Sequence, residues 1–138
     1  HYGEERNMMK RMLLAMVAVF VAWSIMDFII HGLLLQSTYE ATAYLWRPMA
    51  EMKMSLMYLV TLVFTVAFVV IYGFLVGKKS LMAGIQFGGL FGLATGISMG
   101  FGSYAYMPIP LTLAWSWFFG SLGETLVAGA IVGAIVKS

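Results

Sequence analysis

The 138-residue chain has no cysteine, three prolines, two histidines and few charges: eight Lys or Arg against six Asp or Glu. Without thiols there are no disulfides, thiolate metal sites or cysteine nucleophiles. A charged share of 10% is well under the roughly 25% of a soluble domain, too little to clothe a water-exposed surface. An ordinary soluble fold, a disordered tail and a nucleic-acid-binding domain are all excluded. Nucleotide-binding glycine loops and an HExxH pair are also missing. The net charge of +2 comes from bases spread over several loops, which report topology before they report a partner.

What is present is apolar sequence. Hydrophobic residues make up 62% of the chain, and the mean hydropathy is +0.91. About 20 apolar residues cross a bilayer as a helix. Four runs meet that length, at about Met12–Leu35, Met54–Val76, Leu81–Ser103 and Leu111–Val136. They are too long and too continuously apolar for barrel strands, so the expected fold is all-α. It is an antiparallel four-helix membrane bundle in a single domain, with a short interfacial helix between the first and second spans. The first run is too long for a signal peptide and carries Asp27 and His31 where small residues would be needed.

The short link Gly77-Lys78-Lys79-Ser80 predicts a helix end at Gly77 and an N-cap at Ser80. In the long linker, Ser37 and Glu40 have capping-box spacing, predicting a helix from Thr38 to about Trp46. That helix would set Tyr39, Tyr44 and Trp46 at the membrane surface, as an anchor or as a lid over the bundle mouth. Arg6, Lys10, Arg11, Lys78, Lys79 and Lys137 fall on one side of this topology, and only Arg47 and Lys53 on the other. The positive-inside rule then predicts a bacterial inner-membrane protein with both termini in the cytoplasm.

The third span has glycine at 84, 88, 92, 96 and 100, a step of four that draws a smooth groove down one helix face. The groove predicts close helix packing, with a partner helix in the same chain, in a second copy or in a larger membrane complex.

Ionisable side chains inside spans cost several kcal/mol to insert, so each is a functional candidate. Asp27 and His31 are four apart and share a face with Ser24. Glu124 ends a stripe through Thr112, Ser116 and Gly120. Thr61 and Thr65 line one face of the second span with Tyr58, and Ser98 joins Thr95 in the third. At about 1.5 Å per residue, His31 lies about 6 Å, Asp27 about 12 Å and Glu124 about 20 Å from the outer ends of their spans. The pattern predicts an outward-facing polar cavity lined by Ser24, Thr61, Thr65, Ser98 and Ser116, with His31 at the mouth, Asp27 midway and Glu124 at the floor. Hydroxyls bonded to their own helix backbone are the structural alternative.

Such a cavity would bind or transport a proton, a cation or a small cationic solute. A noncatalytic subunit docked through the glycine face is the alternative, and an intramembrane enzyme on a lipid-like substrate is the third reading. Histidine with two carboxylates is also a usable metal set, but helix spacing alone assigns no metal, and no cofactor is expected. The twelve methionines are read as adaptable packing residues rather than copper ligands.

In outline the chain resembles the small multidrug resistance transporters, four-helix chains of similar size with a buried acid in the first helix. The resemblance is one of architecture. Here the first acid, Asp27, has a histidine beside it, a second acid stands in the fourth span, and the linker is long. No residue roles carry over.

Overall fold

A computed structural model describes residues 2–137. Every regular element among them is helical. Helix α1 (Tyr2–Asp27) runs on into a π-helical segment, Phe28–Leu34. After it come α2 (Gln36–Ala41), two single 3₁₀ turns at Ala43–Leu45 and Met49–Glu51, and α3 (Met54–Leu75). Helix α4 (Leu81–Ile97) continues through a second π-helical segment, Ser98–Gly102, into α5 (Ser103–Tyr106). Helix α6 (Leu111–Ile135) completes the set. Four continuous helical stretches are long and apolar enough to span a membrane: Tyr2–Leu34, Met54–Leu75, Leu81–Tyr106 and Leu111–Ile135. The first begins about ten residues before the apolar run, because Glu4 and Glu5 sit in its first turn, where carboxylates favour the helix dipole.

Two local expectations need correcting. Ser37 does not cap α2, which starts at Gln36 with no side-chain cap. Gln36 Nε2 donates to Glu40 Oε1 instead, and α2 ends at Ala41, where Thr42 Oγ1 turns back onto the Thr38 carbonyl at 2.8 Å. Gly77 does not close α3 with a left-handed turn, since no described residue has positive φ. The end of α3 is met by Lys79, whose Nζ donates to the Val76 carbonyl at 2.7 Å, a cation at a helix C-terminus. Ser80 does cap α4, accepting from Ala83 N at 3.0 Å. Tyr72 Oη adds a bond to the Ser80 carbonyl and holds this link against α3.

Between lipid-covered helices apolar burial supplies little drive, so close packing must supply the association. The glycine step on α4 does this against α6 of the same chain. A methyl group at Gly84 would strike the Gly129 carbonyl, one at Gly88 the Thr125 carbonyl, and one at Gly92 the Thr125 hydroxyl. Gly96 faces Phe118, and Gly100 the Ala114 carbonyl. Partner numbers fall along α6 as they rise along α4. The glycine face is therefore taken up within the chain.

A second core joins α1, α3 and α4. Met12, Ala15, Val19 and Trp23 recur every three or four residues and form the buried stripe of α1. Trp23 meets Phe64 and Phe68 at ring separations of 5.4 and 5.6 Å, and Phe68 and Tyr72 reach Phe87 and Phe91 on α4. Val132 of α6 and Val136 just after it close the same core. At the opposite end, Leu35, Ile109, Leu113 and Ala114 form a smaller core with Tyr39, Leu45, Trp46 and Trp117 around it.

Candidate functional site

Trp23 fixes the level at which α1 and α6 meet. Its indole Nε1 donates to the backbone carbonyl of Glu124 at 2.7 Å. A helix carbonyl points toward the C-terminus, whereas the side chain leans toward the N-terminus. The Glu124 carboxyl is therefore directed one turn past Trp23, to the level of Asp27.

Asp27, His31 and Glu124 meet there. One ligand-capable atom from each lies within 4.8 Å of the other two. The Asp27 and Glu124 carboxyls each bring one oxygen into this group. Both acids are half-buried, and His31 is the more exposed member. His31 belongs to the π-helical segment, whose widened turn is marked by the Leu35 N–H bonded back to the Ile30 carbonyl at 2.9 Å.

The linker completes the site. His31 Nδ1 lies 2.6 Å from Tyr39 Oη, and Trp117 Nε1 donates to the same hydroxyl at 2.7 Å. Trp46 packs edge-on against Tyr39 and tilted against Trp117, while its own Nε1 donates to Thr42 Oγ1 at 2.9 Å. Burial raises the Tyr39 phenol above its ordinary value of 10; the Trp117 bond works against this, and the nearby Asp27 charge adds to it. Tyr39 therefore stays protonated at neutral pH.

The expected depths need revision. Counting each span from its own end put Glu124 about 8 Å below Asp27. Leu35 and Leu113 belong to the same linker-end core. From those two residues Asp27 is eight positions away and Glu124 eleven, a difference of about 4.5 Å at 1.5 Å per residue. The lean of the Glu124 side chain covers that distance.

The other predicted residues stand apart in their bonding. Thr61 donates to the Met57 carbonyl at 3.1 Å, Thr65 to Thr61 at 2.7 Å and Ser116 to Thr112 at 2.8 Å. These hydroxyls serve their own helices. Ser98 is exposed and opens the second π-helical segment. Ser24 Oγ, three residues before Asp27, is buried without a hydrogen-bond partner. The interhelical hydroxyl contact is instead Thr95 with Ser121, at 3.3 Å. Tyr39 and Trp117 were the residues missed as site members. The available signal was Tyr39's place in the helix directly after His31.

No family model, curated protein or solved structure matches the chain.

Proposed function

We propose that the protein is an antiparallel four-helix membrane bundle that binds a cation, the proton included, at Asp27, His31 and Glu124, as a step in moving it or a small cationic solute. The observation that carries this reading is the convergence of the three residues from α1 and α6 to within 4.8 Å. Acidic groups are costly in a membrane-spanning helix and are retained there in ion and proton pathways. Two carboxyl groups and an imidazole this close offer their lone pairs to one centre. Proton and cation therefore compete for one place.

The linker supports a gating role for His31. Tyr39, itself held by Trp117, meets Nδ1 of the imidazole, and Tyr39 and Trp46 lie across the linker end of α6. In this reading both termini face the cytoplasm across a bacterial inner membrane. In support, Met12, Tyr72 and Val136 share one core, which brings Arg6, Lys10, Arg11, Lys78, Lys79 and Lys137 toward one end.

The test is binding of protons and of a probe cation, tetraphenylphosphonium, to the purified chain in lipid nanodiscs across pH 5–9. Wild type should bind the probe more tightly as pH rises, with proton release. Glu124→Gln should lose that pH dependence while keeping its helical circular dichroism. Unchanged pH-linked binding in a folded Glu124→Gln protein removes the reading.

A further inference from the structure

The geometry points to a divalent first-row transition-metal ion as the cation held by Asp27, His31 and Glu124, with Tyr39 as the residue that orients the histidine. This rests on the cation-binding reading above and names its ligand.

The donor set is the first argument. One imidazole with two carboxylates suits Zn²⁺, Mn²⁺, Fe²⁺ or Co²⁺ better than an all-oxygen site suited to Mg²⁺ or Ca²⁺. Ligands at about 2.0–2.2 Å from a tetrahedral ion stand about 3.4 Å apart. The three donor atoms already lie within 4.8 Å, so side-chain rotations of about an ångström close the set, with water in the fourth place.

The surroundings of His31 are the second argument. A metal-bound histidine usually gives its other ring nitrogen to a fixed partner. Nδ1 has such a partner in Tyr39 Oη, which Trp117 holds from the far side. The phenol oxygen can accept from both Trp117 Nε1–H and His31 Nδ1–H. Nε2 is then the nitrogen left for the ion. Tyr39 and Trp117 lie outside the ligand set and come from the linker and α6, so the orientation is built by the fold rather than by the acids themselves.

Charge is the third argument. Two carboxylates bring a charge of −2 to the site. A divalent ion between them, with a neutral imidazole, gives a neutral assembly. A monovalent ion leaves the site at −1. In hydrocarbon the neutral assembly costs less than the charged one, so the site favours charge two.

The experiment is equilibrium dialysis of the purified full chain in nanodiscs against Zn²⁺ and Mn²⁺ separately, with Co²⁺ absorption as a probe of coordination. All proteins carry His1→Ala, which removes the chain's other imidazole. One ion per chain is expected. His31→Ala, Asp27→Asn and Glu124→Gln should each weaken binding by tenfold or more. Tyr39→Phe should weaken it about tenfold and alter the Co²⁺ bands. Retained helical circular dichroism certifies each variant, and for any that fails to fold the conservative His31→Gln or Glu124→Asp takes its place. Zn²⁺ or Mn²⁺ affinity that the ligand-residue variants leave unchanged overturns the proposal. So does absence of metal binding alongside Glu124-dependent, pH-linked binding of tetraphenylphosphonium, which leaves the general cation reading standing. Absence of both overturns the two together.

Discussion

Tyr39 Oη is shared between His31 Nδ1 at 2.6 Å and Trp117 Nε1 at 2.7 Å. Its phenol is raised by burial first. The folded protein thus holds this proton more tightly than the unfolded chain does. The associated stability is present below the ordinary value near 10 and is lost as pH rises through the higher folded value. Difference absorbance at 295 nm, wild type minus Tyr39→Phe, should show the Tyr39 transition above pH 10; a transition at or below 10 contradicts the burial. At this scale Asp27, His31 and Glu124 were legible because charge is rare in apolar spans and each instance stands out. Tyr39 and Trp117 were not, because aromatic residues near a span end fit an interfacial belt equally well. Thr61, Thr65 and Ser116 misled for a different reason. Spacing puts hydroxyls on one face, but cannot tell a face turned to a shared site from one bonded back to its own helix.

The glycine step is the clearest signal at the scale of elements, and the identity of its partner is what the sequence left open. Two halves had to be matched: glycines on α4, and Gly129, Gly133 and Thr125 on α6. Gly129 and Gly133 are visible as a pair, yet nothing local joins them to 84 and 88 rather than to a second copy. The contrast among glycines gives a sharp expectation. Gly88→Ala drives a methyl into the Thr125 carbonyl, a backbone atom that cannot swing away. It should cost about 1–3 kcal/mol or more. Gly123, on α6, has nothing within 4 Å of a built methyl. Gly123→Ala should hold or raise stability, by up to about 1 kcal/mol from helix propensity. Unfolding of nanodisc-extracted protein in graded denaturing detergent, followed by circular dichroism, ranks the two. Equal loss in both would mean that α4 and α6 do not meet on this face. Ser80 was readable at this scale from its place alone, whereas Gly77 was not: a basic side chain does the work at the end of α3 that a left-handed glycine was expected to do.

For the whole molecule, the number of spans followed from hydropathy alone, but the height of each helix relative to the next did not. That height decides whether Asp27 and Glu124 can touch. It is set by Trp23 on the Glu124 carbonyl and by the core that holds Leu35 and Leu113, two links between segments about 80 to 100 positions apart in the chain. The absence of cysteine makes the orientation straightforward to check with single introduced thiols. Lys78→Cys should react with a membrane-impermeant maleimide only after the cytoplasmic face is opened, and Arg47→Cys should react in intact spheroplasts. The reverse pattern would invert the topology and turn the linker inward.

The length of the first helix bears on how the site can move. The stretch Tyr2–Leu34 has 33 residues, about 50 Å at 1.5 Å per residue, against a hydrocarbon layer of about 30 Å. The surplus carries Glu4, Glu5, Arg6, Lys10 and Arg11. A piston stroke of one turn, about 5 Å, toward the linker would drag Arg11 and Lys10 into the acyl chains at a few kcal/mol each. The opposite stroke would sink Gln36 and then Glu40. The first helix is thus pinned in height from both sides of the bilayer, and the vernier that lines up Asp27 with Glu124 is set as much by lipid thickness as by protein contacts.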